Sequence, residues 1–395
     1  MTFEELKALD HQYTMQTYGR FDVALDHGQG ATLYDLEGQP YVDFASGIGV
    51  ASLGYGHPAW VKAVEEQAKK LAHASNLFYT EPYARLAEKL CLRSGMSAAF
   101  FANGGAEANE GIIKLARKYS FDKYGQGRAT IITLHNSFHG RTITTLQATG
   151  QDVFHNYFFP FTEGFRYAET PNMAGVQAQD GDDVCAVMVE LIQGEGGVLP
   201  LDKGFVQELA DWCAGKDYLL LVDEVQTGIG RTGSLFCFQQ YGTLPDACTF
   251  AKGIAGGLPM AGVLANEKCR NVLTPGTHAT TFGGNPVAAA AALAVLDTLD
   301  DDMMAQINEK GQYLMDTVCS WNAPCVDTVR GMGLMVGIVL KDGVDRSALV
   351  SAIYDRHVLV LTAGPKTIRL LPPLVITKEE MDAGLAVLRD VLSGG

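Results

Sequence analysis

Positive charge is scarce in this chain: of 395 residues only 30 are Lys or Arg, against 45 Asp or Glu, a formal charge of −15. That balance argues against a nucleic-acid partner, whose phosphates need a basic face. No apolar run approaches the roughly 18 residues of a membrane span. The most Ala-rich stretch, Pro286 to Leu299, is interrupted by Asp297 and reads as a water-soluble helix. The N-terminus, MTFEELKALDHQY, lacks the basic start and apolar run of a secretory signal, so the expected location is the cytoplasm, with no membrane contact. None of the eight cysteines stands in a CxxC pair or at metal-like spacing. They are expected to be reduced thiols packed in the core, with no metal centre. No repeat or low-complexity tract divides the sequence, and at roughly 150 residues per domain its length suggests two to three domains.

What is present is an alternation of short apolar runs and helical patterns. Ala98 to Ala102, Ala129 to Leu134, Cys185 to Val189, Tyr218 to Val222 and Ala247 to Ala251 read as buried strands. Between them, Ile112, Ile113, Leu115, Ala116 and Tyr119 share one helix face, as do Phe205, Val206, Leu209, Ala210 and Cys213. The fold class is therefore α/β with a largely parallel sheet, which binds ligands at the carboxyl ends of its strands. The texture changes at Pro286, where a long Ala-rich helix precedes patterns with fewer Gly-rich loops. Three parts are expected: an N-terminal segment 1–45 with a hairpin of Gly30 to Asp35 and Pro40 to Phe44, packing with the small domain; a large domain 46–285; and a smaller α/β domain 286–395.

The segments that follow these strands carry the chemistry. Asn103-Gly104-Gly105-Ala106-Glu107-Ala108-Asn109 combines small residues with a helix start and could seat a phosphate, although a plain strand-to-helix turn reads equally well. His135-Asn136-Ser137-Phe138-His139-Gly140-Arg141 places an aromatic ring and a guanidinium in one loop. Glu190 and Gln193-Gly194-Glu195-Gly196-Gly197 end the third strand, in a loop that suits a binding site or a tight turn. Asp223 ends an all-apolar strand, where a carboxylate is costly without a cationic partner. Lys252 ends another. A simple Asp223–Lys252 ion pair accounts for those two residues and leaves the other loops unexplained. Pyridoxal phosphate accounts for all of them: it needs a lysine for its aldehyde, a carboxylate for its ring nitrogen, a phosphate cradle and a flat group against its ring. Gly228-Ile229-Gly230-Arg231-Thr232-Gly233 matches the dinucleotide fingerprint GxGxxG. It lacks the strand directly before it and the amphipathic helix after it that the fingerprint requires.

These residues resemble the class III (omega-amino-acid) aminotransferases of pyridoxal-phosphate fold type I. The resemblance covers essentially the whole chain. It is carried by Tyr41-Val42-Asp43-Phe44, Gly54-Tyr55-Gly56-His57-Pro58, Ala106-Glu107-Ala108-Asn109, Phe138-His139-Gly140-Arg141, Gln193-Gly194-Glu195-Gly196-Gly197, Asp223-Glu224-Val225-Gln226-Thr227-Gly228, Gly230-Arg231-Thr232-Gly233, Ala251-Lys252-Gly253 and Thr281-Phe282-Gly283-Gly284-Asn285-Pro286. Within the family, Tyr18-Gly19-Arg20-Phe21, Ser75-Asn76-Leu77-Phe78, Ala363-Gly364-Pro365 and Arg369 are similar to the branch that acts on acetylornithine with 2-oxoglutarate as amino acceptor.

The resemblance implies roles for particular positions. Lys252 would hold the cofactor aldehyde and shuttle the proton, and Asp223 would pair with the ring nitrogen. Glu224, Val225, Gln226 and Phe138 would surround the ring, Val225 and Phe138 on opposite faces. The phosphate would lie on the backbone of Gly105 and Ala106, with Thr281 arriving from the second subunit of a homodimer. Arg141 would anchor the carboxylate remote from the reacting amine. Arg369 would hold the α-carboxylate of glutamate, masked by Glu195 when the ω-amino substrate is bound. Thr280 and Tyr18 would sit beside the substrate. Three positions depart from the family pattern: Gly104 in place of serine, Ala106 in place of threonine and Leu191 in place of proline. The first two predict weaker cofactor retention. Ile48 stands where the ornithine-specific branch has tyrosine, which favours an acylated substrate. No residue separates acetyl from succinyl, and 4-aminobutyrate is a weaker rival on chain length. A noncatalytic relative would have no chemical reason to keep Lys252, Asp223, Arg141 and Arg369 together.

Overall fold

A computed structural model of the protein describes residues 1–169 and 171–394. All five predicted strands enter one seven-stranded sheet. Across it run Ala98–Ala102, Ala261–Ala265, Ala247–Phe250, Leu219–Asp223, Val184–Val189, Thr130–Leu134 and Phe165–Ala168. The pairings are parallel except for Ala261–Ala265, which is antiparallel to both its neighbours. The central strand, Leu219–Asp223, is buried along its whole length. Its apolar run without alternation is what a strand covered on both faces requires.

Two strands were not foreseen in the sequence. Ala261–Ala265 reads as loop because it follows a glycine-rich stretch and holds Gly262, where a Cβ would stand 2.4 Å from the Phe100 carbonyl oxygen. Phe165–Ala168 is an edge strand with a polar residue in its pattern. Helix Gly105–Tyr124 covers one face with Ile112, Ile113, Leu115 and Ala116, which pack with Cys185, Leu219 and Leu221. Helix Lys203–Lys216 buries Phe205, Val206, Leu209 and Cys213, which join the main core with Val187, Leu220 and Val222.

The N-terminal hairpin forms as Thr32–Asp35 against Pro40–Asp43. Its outer partner comes from the far end of the chain: Val358–Leu359 runs parallel to Val42 and Asp43. A third sheet, Val326–Met332, Met335–Leu340, Thr367–Leu370 and Leu361–Ala363, carries Arg369 on a fully buried strand. Helix Pro286–Thr298, capped by the Asn285 side chain, packs against helices Pro58–Lys70 and Glu81–Ser94. It therefore lies with the elements that precede it in sequence. Five cysteines are buried and Cys91 and Cys325 are half-buried, but Cys319 is exposed. It departs from the core-thiol expectation because it lies on the solvent side of helix Asp301–Ser320, next to the buried Val318. Among the described residues no helix is long and apolar enough to cross a membrane, and no cluster of metal-ligating side chains occurs.

Candidate active site

The loops after the strands surround one cavity of about 470 Å³, within the usual range for small-molecule sites. Gly104, Gly105, Ala106, Phe138, Arg141, Asp223, Val225, Gln226 and Lys252 all line it. The central strand delivers Asp223 to its floor, where the carboxylate is only 4% exposed. Four donors meet that carboxylate. Oδ2 accepts from Asn109 Nδ2 at 2.7 Å and faces His139 Nδ1 at 2.8 Å. Oδ1 accepts from the Val225 N–H at 3.0 Å and the Thr249 hydroxyl at 3.3 Å. Burial alone would raise its pKa, but the His139 hydrogen bond and charge, with the other donors, bring it below the ordinary carboxylate value. The partner that this carboxylate demanded is thus the His139 ring, with Asn109 beside it. No Asp223–Lys252 ion pair is formed among the described residues.

Lys252 follows its strand directly, in a short 3-10 turn, with φ of 47°. That left-handed backbone is uncommon for a residue with a side chain and turns the lysine into the cavity wall. Burial of the amine pulls its pKa below the usual lysine value, only partly offset by Glu195 and Asp223. A lysine so placed yields the neutral, nucleophilic amine more readily than one in water.

At the opposite end, helix Gly105–Tyr124 starts from Gly104 with no side chain capping it, which leaves its first N–H groups for an anion at the cavity wall. The local carboxylate, Glu107, is turned back onto Asn103, accepting from its N–H at 2.9 Å and its amide at 2.8 Å. Gly105 is required here, since a Cβ would stand 2.7 Å from Val225 Cγ1. Phe138 is fixed by its N–H, which donates to Glu190 Oε2 at 2.8 Å. Glu190 Oε1 also faces the Gly194 N–H at 3.4 Å. Burial, with the charge of Asp223, raises the Glu190 pKa well above the ordinary carboxylate value.

The two arginines differ sharply. Arg369 is buried and donates through Nη1 to Glu195 Oε1 at 2.7 Å and to Gln226 Oε1 at 2.9 Å. Arg141 has no carboxylate partner among the described residues and rests on aromatic rings. Glu224 corrects an expectation. Successive side chains of an extended chain point to opposite sides, so Glu224 turns away from the cavity that receives Asp223. It accepts from the Thr227 hydroxyl at 2.6 Å, the Cys237 N–H at 2.9 Å and the Phe238 N–H at 2.7 Å. Tyr18 also lies elsewhere in this chain: it is exposed in the segment that folds back on helix Phe3–Tyr13, where Arg20 pairs with Asp10. Thr280 faces Asn103 Nδ2 at 3.1 Å behind the anion turn, and Thr281 is exposed. Ile48, the position expected from the resemblance to favour an acylated substrate, stands at φ 65° in a left-handed turn, Ser46 to Gly49, and is 47% exposed.

Asn109, His139 and Glu190 were assigned no role from sequence. The signals existed: Asn109 is one helical turn after Gly105, and His139 lies inside the loop that carries Phe138 and Arg141.

A cleft with an amine at one wall, an ionised carboxylate at its floor and free helix N–H groups at its end defines a class, the pyridoxal-phosphate-dependent transaminases. The residues present fit that cofactor. Asp223 keeps its charge for a protonated ring nitrogen, and the helix start at Gly104 and Gly105 has no side-chain cap to compete with a phosphate. The family model described as Aminotransferase class-III matches residues 13–392, and the chain belongs to that family. It is 50% identical over 394 residues to the acetylornithine aminotransferase of Haemophilus ducreyi, covering 100% of both chains. It is 44% identical to that of Caldanaerobacter subterraneus, covering 97% of this chain and 98% of the relative. Among solved structures it is similar to ornithine aminotransferase from Toxoplasma gondii ME49, with a TM-score of 0.95 and 31% identity over 100% of this chain and 96% of that one. N-acetylornithine aminotransferase from Stenotrophomonas maltophilia K279a gives a TM-score of 0.85 and 36% identity over 98% of each chain.

Proposed function

We propose that this transaminase moves the ω-amino group of N2-acetyl-L-ornithine to 2-oxoglutarate, giving N-acetylglutamate 5-semialdehyde and glutamate, as a cytoplasmic step of arginine biosynthesis. The observation that carries this reading is the unequal state of the two arginines: Arg369 is neutralised by Glu195 at 2.7 Å, and Arg141 has no carboxylate partner among the described residues. A substrate with one carboxylate far from its reacting amine needs Arg141 alone. Glutamate, with a second carboxylate beside its amine, needs Arg369 as well. Planar guanidinium groups suit both tasks, since they bind carboxylates in a bidentate fork.

When bound, pyridoxal phosphate supplies an electron sink for the carbon that bears the amine. The protein does the rest. Lys252 Nζ would hold the cofactor and carry the proton from that carbon. Asp223, which accepts from Asn109 and faces His139, would hold the proton on the ring nitrogen. Phe138 and Val225 would cover the ring faces, Gln226 would reach the ring hydroxyl, and Gly105 and Ala106 would bind the phosphate through their N–H groups. Glu195 swings from Arg369 when glutamate enters. Thr281, exposed on its own chain, reaches the partner's phosphate in a homodimer. The division into a segment 1–45, a large domain and a small domain belongs to the same reading, with the last boundary near helix Pro286–Thr298. The names of the relatives with 40–50% identity favour the acylated substrate over free ornithine.

The test is Arg369→Ala in single-turnover half-reactions. Glutamate is expected to lose about 100-fold or more, the range for losing one hydrogen-bonded charge partner, with acetylornithine losing much less. Equal losses with both substrates would overturn the switch.

A further inference from the structure

Arg141 lacks an anionic partner among the described residues, yet it is not loose. Its guanidinium carbon lies 4.3 Å from the centre of the Phe154 ring and 5.5 Å from that of Phe138. The two rings meet edge to face, 5.7 Å apart. Phe154 is itself held at several points. Its N–H donates to the Gln151 carbonyl, the Gln151 amide donates to the Ser137 carbonyl at 3.0 Å, and His155 Nε2 lies 2.9 Å from the Leu146 carbonyl oxygen. Leu146 belongs to helix Ile143–Ala148, whose capping residue, Thr142, directly follows Arg141. The guanidinium and the ring beneath it are therefore carried by segments that are tied to one another.

We propose that Phe154 is a positioning residue that holds Arg141 ready for the substrate carboxylate. The proposal rests on the reading of Arg141 as the anchor for the carboxylate remote from the reacting amine. A ring face attracts a cation electrostatically but offers no hydrogen-bond acceptor, so the five N–H donors of Arg141 stay available for a ligand. A carboxylate partner would do the reverse and compete with the substrate, as Glu195 does at Arg369. The molecule thus manages its two anchors by two devices. Arg369 carries a removable anion and serves only the substrate that needs it. Arg141 lies on a platform that never competes, which suits an anchor used in both half-reactions. Loss of the platform must then weaken both halves alike, unlike loss of Arg369.

The test uses holoenzyme carrying Phe154→Leu, Phe154→Tyr, Arg141→Ala or a trifluorinated phenylalanine at position 154, which keeps the shape of the ring and removes its electron-rich face. Two readouts are taken: binding of glutarate, a dicarboxylate without an amine, by calorimetry, and single-turnover half-reactions with acetylornithine and with glutamate. Phe154→Leu and the fluorinated ring are expected to weaken glutarate binding about 3- to 30-fold and to raise half-saturation for both substrates alike. Limiting rates should stay within about twofold, and Phe154→Tyr should restore binding. If Phe154→Leu does not fold, the fluorinated ring decides. Unchanged glutarate binding in the fluorinated protein, with binding lost in Arg141→Ala, overturns the role of Phe154. Unchanged binding in Arg141→Ala overturns the anchor reading beneath it, and the proposal with it.

Discussion

At the scale of single residues, the cleft depends on a carboxylate that must stay charged while almost wholly buried. Asp223 achieves this through His139 and Asn109, which both meet its Oδ2. Removing a hydrogen-bond partner of a buried charge leaves a large unmet cost. His139→Leu is therefore expected to lower kcat about 10- to 100-fold with acetylornithine and to shift the visible band of the bound cofactor, while Lys252 remains able to hold it. Steady-state kinetics beside an absorbance spectrum check this, and a rate and spectrum like those of the parent would contradict it. Lys252 and Asp223 are legible in the sequence as cleft residues because ionisable groups at the ends of apolar strands demand an explanation. His139 is less legible: nothing in a lone sequence says which of three neighbours in a loop turns inward. Glu224 misleads for the opposite reason, since its adjacency to Asp223 hides the alternation that sends it to the other side.

At the scale of elements, the loop from Thr227 to Phe238 is organised around Glu224. Its carboxylate gathers one hydroxyl and two N–H groups, and burial pushes its pKa up to about 7 in spite of them. The unfolded chain releases that proton near the ordinary glutamate value of 4.5, so between about 4.5 and about 7 the folded state binds the extra proton. The contribution of Glu224 is full below that window and falls as pH rises through it. Glu224→Gln, which cannot titrate, should gain on the parent by up to about 3 kcal/mol across the window and then level off. Denaturant unfolding of both proteins over this pH range checks the sign, and parallel curves would contradict it. The same loop contains the glycine fingerprint. It carries Arg231 into a buried position where Nη1 donates to the carbonyls of Leu334 and Pro372, so the run is a structural tie between distant parts of the chain. Strands with continuous apolar character are legible in sequence, and a small-residue strand such as Ala261–Ala265 is not, because its stability comes from neighbours on both sides.

At the scale of the whole molecule, long-range pairing is what the sequence hides most. The hairpin near the N-terminus is read from its local pattern, but its union with Val358–Leu359 joins segments more than 300 residues apart and has no local signal. The formal charge of −15 is a second global property, and it opposes anionic ligands. Binding therefore rests on a few cations gathered in the cleft, Lys252 and Arg141 at its wall and Arg369 behind Glu195. That concentration underlies the proposed function, a transaminase in which Arg141 would serve an acylated ω-amino acid and Arg141 with Arg369 would serve glutamate. The most direct measurement is a single-turnover panel on the holoenzyme with acetylornithine, succinylornithine, ornithine and 4-aminobutyrate. The account predicts the highest kcat/KM for the acylated ornithines, with ornithine and 4-aminobutyrate well behind, and a faster reaction with ornithine or 4-aminobutyrate than with either acylated substrate would contradict it.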